Sequence, residues 1–114
     1  MPTLMPKDAD SNVIPALRLK ASGGAHAIAA SAASARNATA FNADTQVLSV
    51  YATGPVYLRF GTSSVTAAST DHYYPDGIYY DFAIGCGDSK GPRFTHLAVL
   101  AAGAACTVFV SEKE

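Results

Sequence analysis

The sequence predicts an all-β chain: a single antiparallel β-sandwich, jelly-roll-like, with seven or eight short strands. Three observations carry this reading. Short apolar runs alternate with polar residues at a period of two, as half-buried strands do. Gly, Pro and Ser clusters separate the runs. No stretch places large apolar residues convincingly at helical spacing. With 114 residues and 49% apolar composition, the chain suits one domain around one core. Many short strands with frequent turns fit a sandwich of jelly-roll or immunoglobulin-like type, and the jelly-roll-like arrangement is the one expected.

Residues 1–12 read as a flexible N-terminal arm, and residues 13–114 as the sandwich domain. Val13, Ala16, Leu17 and Leu19 form an apolar segment interrupted by Pro15. Proline restricts it to an edge strand. Ser22-Gly23-Gly24 is a turn. Residues 25–40 are rich in Ala, which favours helix on propensity alone. Ile28 is their only large aliphatic, and Ser and Thr punctuate them. Two short strands around a Ser-rich turn are expected there.

From residue 46 the alternation sharpens. Leu48, Val50 and Ala52 share one face of QVLSVYA. Val56, Leu58 and Phe60 share one face of VYLRF, with Tyr57 and Arg59 opposite. Thr53-Gly54-Pro55 joins these runs, which are expected to pair as a hairpin. Next come a loop at Gly61–Ser64 and a short polar stretch, residues 65–71. His72-Tyr73-Tyr74 then leads through Pro75-Asp76-Gly77 into residues 78–84. This pair too reads as a hairpin, in either of two registers. A type I turn followed by a left-handed Gly77 sets Tyr73 across from Tyr79 and Asp71 from Asp81. A two-residue turn sets His72 across from Asp81 and Tyr74 from Tyr79. Residues 85–92 form a loop. THLAVLA (95–101) and ACTVFVS (105–111) are the last strands, followed by a solvated SEKE tail.

Charge excludes some functions. The net charge is −1, and between Ala21 and Leu58 the only formal charges are Arg36 and Asp44. No basic stripe supports nucleic-acid binding. No run reaches the length of a membrane span, and the start lacks the apolar core of a secretory signal. Synthesis in a cytoplasm is therefore expected, with Cys86 and Cys106 reduced. Cys106 should be a buried small hydrophobe and Cys86 an incidental loop thiol. Sparse charge with many Ala, Ser and Thr fits either a strand surface that meets other subunits or a polar, uncharged sandwich face.

The chain holds no recognisable catalytic motif. Ser63-Ser64 lacks the G-x-S-x-G frame and a following helix. Gly85–Gly91 lacks the Gly-Lys-Ser/Thr of a phosphate loop. His26, His72 and His96 have no metal-ligand spacing, and no metal or cofactor is expected. Asn37-Ala38-Thr39 matches a glycosylation sequon by chance. The richest spot is His72, Tyr73, Tyr74, Tyr79, Tyr80 and Asp81, with Asp71 and Asp76 nearby. It reads as cross-strand packing, as a protein interface, or as a ligand contact. Its acids are too widely spaced for a calcium loop.

A resemblance adds context. The carrying residues are Ser34-Ala35-Arg36, Thr45–Val50, the segment GPVYLRFGTSSVTA (54–67), Pro75-Asp76-Gly77, the aromatic strand ending at Phe82, and the closing runs 95–100 and 107–111. They cover about two-thirds of the chain. In this layout the chain resembles small structural proteins of tailed-phage and prophage virions, of capsid-decoration or head-associated β-sandwich type. The Tyr- and His-rich stretch at 72–80 departs from that pattern. The resemblance implies no catalytic residues. It implies a virion protein made in the host bacterial cytoplasm, a homo-oligomer (trimer or dimer) that contacts capsid or other virion proteins. The alternative expectation is a glycan- or ligand-binding module with the tyrosines exposed along one groove.

Overall fold

The computed structural model describes residues 9–10, 18–85 and 92–113. The expected arm, the segment at 13–17 and Cys86 fall wholly or mostly outside them. Among the described residues there are eight strands: β1 (Ala25–Ala30), β2 (Ala35–Arg36), β3 (Val47–Ala52), β4 (Val56–Gly61), β5 (His72–Tyr74), β6 (Tyr79–Ala83), β7 (His96–Ala101) and β8 (Cys106–Lys113). The Ala-rich region resolves into β1 and β2 as expected. Ser31 tightens the turn between them: its Oγ accepts from the Ala33 amide at 3.3 Å.

Two four-stranded antiparallel sheets pack together. One has the order β1-β8-β3-β6 and the other β2-β7-β4-β5. The pairs β1·β8, β2·β7, β3·β6 and β4·β5 are nested, as if one long hairpin had been folded over on itself. This is jelly-roll topology. Val47 faces Ala83 in one sheet and Val56 faces Tyr74 in the other. The step from Val47 to Val56 matches the step from Ala83 back to Tyr74, so both arms keep one register across the corner.

Two expected hairpins are overturned, and the last two strands are likewise separated. β3 and β4 do not form a hairpin, β5 and β6 do not, and β7 and β8 do not; each pair is split between the two sheets. Only β4 and β5 are neighbours in both sequence and sheet. Gly and Pro turn the chain equally well into a hairpin or across a sandwich corner, so turn chemistry does not choose the partner. Gly77 does take the expected left-handed conformation, with φ of 81°. Its amide donates to the Ala52 carbonyl of β3 at 3.1 Å, anchoring a corner rather than a hairpin.

The inner faces carry Ile28, Leu48, Val50, Val56, Leu58, Leu97, Val99, Val108 and Val110, joined by Phe41 and Ile84 from the connections. Each such side chain contributes roughly 1.5–3 kcal/mol when fully buried. The β4–β5 connection, residues 62–71, lies back over the outer face of the second sheet. Arg36 donates to the Val65 carbonyl at 3.2 Å, and the Ala67 amide donates to Ser34 Oγ at 2.8 Å. This cover accounts for the burial of His96 and Ala98, although both point away from the core.

Candidate functional site

The structure separates the six expected site residues into different environments. Tyr73 faces Tyr57 on the outer surface of the second sheet, their rings edge-to-face at 5.6 Å. Tyr79 faces Tyr51 on the outer surface of the first sheet, ring centroids 4.7 Å apart. These two surfaces are opposite sides of the sandwich. Tyr74 and Tyr80 meet between the sheets at 4.8 Å. Neither expected register occurs, because β5 and β6 each pair with a different strand. Asp81 lies beside Ser49 and accepts from Ser49 Oγ at 2.6 Å and Lys113 Nζ at 2.9 Å. These bonds, the Ser49 one first, hold its carboxyl below the usual range.

Along the side where edge strands β5 and β6 run, aromatic rings link the two sheets. Tyr80 meets Tyr74, Tyr74 meets Phe82 at 5.4 Å, Phe82 meets Phe60 at 5.3 Å, and Phe60 stacks near Phe94 at 5.8 Å. Between them opens a slot of about 180 Å³ lined by Leu58, Phe60, His72, Tyr74 and Phe82. His72, exposed at the edge, stands opposite Leu58 at the mouth.

The densest polar constellation lies elsewhere. Glu112 is 1% exposed, not part of a solvated tail. Its carboxylate meets His26 Nε2 at 2.7 Å and accepts from Thr45 Oγ1 at 2.5 Å and the Asn42 amide at 2.9 Å. Burial pushes its pKa up, but the bonds from Thr45, His26 and Asn42 outweigh this and hold it below the ordinary value. His26 also meets Phe41 edge-to-face at 5.3 Å. Arg93 donates to the carbonyls of Asn42 and Thr45 from the other side. A carboxylate and a guanidinium thus hold the same turn, Asn42–Thr45, by its donors and its acceptors respectively. The carboxylate braces the β2–β3 connection through Thr45 and Asn42. A signal for it existed in the sequence: Val108 and Val110 set an inward period that Glu112 continues.

His96 and Asn37 are also buried within the frame. His96 Nδ1 meets Thr95 Oγ1 at 2.8 Å. Burial first, then the nearby Arg36 guanidinium, lowers its pKa. Asn37, the sequon residue, is 3% exposed, and its Oδ1 accepts from the Leu97 amide at 2.8 Å. Cys106 is a half-buried free thiol packed against the core. Among the described residues, no three His, Cys, Asp or Glu side chains gather as a metal site requires.

The outer face of the first sheet is organised in cross-strand rows. Ala27, Phe109, Tyr51 and Tyr79 form one row; Ala25, Ser111, Ser49 and Asp81 form the next. Phe109 is 47% exposed and Tyr79 73%. Among the described residues, the only charged side chains that these four strands place on this outer face are Asp81 and Lys113, which pair with each other. Fold and surface together define an antiparallel jelly-roll sandwich whose one outer face carries an aromatic row beside a polar row with a single internal ion pair. No family model, curated protein or solved structure matches the chain.

Proposed function

We propose that this chain is a non-enzymatic structural subunit of a tailed-phage or prophage virion. It works by protein–protein contact, decorating or stabilising the shell, and the outer face of the first sheet makes that contact. The carrying observation is the row Phe109–Tyr51–Tyr79 on a face whose two charges neutralise each other. Aromatic rings exposed beside small residues favour a protein partner, because such a face desolvates cheaply. The phage context rests on the sequence resemblance. Homo-oligomerisation or docking on a capsid protein follows from the same surface, and the edges of β1 and β6 offer further strand pairing.

The glycan alternative needs several tyrosines in one groove. Tyr73 and Tyr79 occupy opposite faces, which favours the contact reading.

Sedimentation velocity over a concentration series, and co-sedimentation with phage shells from the same genomic neighbourhood, test this. Association in either assay, lost in a Phe109→Lys, Tyr79→Lys variant that remains folded, is the expected result. A monomer at every concentration that also ignores shells would sink the reading.

A further inference from the structure

We infer that the slot at the β5–β6 side is a binding site for a single-ring aromatic ligand carrying one uncharged hydrogen-bonding group, such as a phenol. This is separate from the contact face proposed above. The slot arises from the shortness of β5. That strand begins at His72, opposite Leu58, so no β5 residue reaches Phe60 farther along β4. The inner aromatic surface is therefore uncovered at the sheet edge.

Size and lining select the ligand. The slot measures about 180 Å³. A cavity of roughly 150 Å³ with Leu, Ile and Phe walls holds one benzene ring. Tyr74 and Phe82 stand at 89° to each other and Phe60 and Phe82 at 57°. Rings so inclined present both faces and edges, and an additional ring fits such a cluster by the same quadrupole attraction.

The mouth selects the substituent. The slot shares Phe60 and His72 with a more polar hollow lined also by Arg59, Asp71 and Phe94. Arg59 Nη1 lies 4.0 Å from Asp71 Oδ1, so the hollow carries one charge of each sign. A hydroxyl can donate to Asp71 and accept from Arg59 or His72. A carboxylate or ammonium group meets repulsion from one of the pair.

Nuclear magnetic resonance titration of the full chain with p-cresol tests the inference. Toluate serves as the anionic comparator and cyclohexanol as the non-aromatic one. Saturable shifts confined to Leu58, Phe60, Tyr74 and Phe82 are expected, with intermolecular cross-peaks from the cresol methyl to the Leu58 methyls. Cresol should bind more tightly than either comparator. A His72→Trp variant, which caps the mouth from an exposed position, should weaken binding by about tenfold or more. The inference is overturned if the wild-type chain shows no cross-peaks to Leu58, if cyclohexanol binds equally well, or if folded His72→Trp titrates like wild type. The wild-type cross-peaks decide the matter even if the variant does not fold.

Discussion

Glu112 of β8 and His26 of β1 meet at 2.7 Å inside the sandwich, where the Glu112 side chain is wholly shielded from solvent. The carboxylate also holds Thr45 and Asn42, so one side chain ties two strands to the β2–β3 connection. Removing it takes away the acceptor that His26, Thr45 and Asn42 share. Glu112→Ala is expected to destabilise the fold by about 3–5 kcal/mol, because it removes the charge-assisted hydrogen bonds from Thr45, Asn42 and His26 together. Glu112→Gln, which keeps the shape and one acceptor oxygen, should cost about 1–3 kcal/mol. Urea unfolding measures both. A midpoint unchanged in Glu112→Ala contradicts the bracing role.

The same carboxylate gives the stability a pH dependence of defined sign. Its folded pKa lies below the ordinary value of 4.5. The unfolded chain therefore binds the proton first as pH falls, and stability drops with it. The contribution is complete above about pH 4.5 and disappears as pH descends through the lower folded value. His96, also lowered in the fold, adds a loss of the same sign that begins below its ordinary 6.5. Urea midpoints from neutral to acid pH should fall in wild type and fall less steeply in Glu112→Gln below pH 4.5. Identical slopes there would remove Glu112 from the account.

Gly61 illustrates a glycine required by close approach. A Cβ there would lie 2.8 Å from the Val65 side chain, where the β4–β5 connection folds over the sheet. Gly61→Ala should cost about 1–3 kcal/mol through overpacking. Val65→Ala in the same chain should recover part of that loss, because it clears the space. A double variant no more stable than Gly61→Ala alone would show that the strain lies elsewhere.

The tyrosines should respond by location rather than by sequence proximity. Tyr79 is 73% exposed, so Tyr79→Ala should change stability by no more than about 1 kcal/mol. Tyr74 packs against the core and touches Tyr80 and Phe82. Tyr74→Ala should cost about 1–3 kcal/mol. Thermal melts of the two variants give the comparison, and equal losses would mean that the separation between them carries no energetic weight.

Strand identity was legible in the sequence because alternation is a local property. Leu48, Val50 and Ala52 point inward as their spacing requires, and so do Val56 and Leu58. Strand pairing was not legible in the same way. The partner of Tyr79 is Tyr51 and the partner of Tyr73 is Tyr57, neither of them across the nearest turn. Pro75-Asp76-Gly77 reports that the chain bends, and the hydrophobic pattern reports which side faces inward. Neither reports which of two stacked sheets a strand joins. Glu112 was missed for a different reason: a charged residue near the chain end reads as solvated unless the inward period of Val108 and Val110 is carried one step further.

The nested pairs β1·β8, β2·β7, β3·β6 and β4·β5 have a kinetic consequence. Closing β4 on β5 shortens the loop that must close for β3 on β6, and that closure in turn shortens the next. Assembly is therefore expected to zip outward from residues 62–71, with β1 and β8 meeting late. Mutational kinetics can read this order. Val56→Ala in β4 should slow folding, whereas Ile28→Val in β1 should mainly hasten unfolding. On this route the Glu112–His26 contact acts as a latch, closing only after the central strands have found their register.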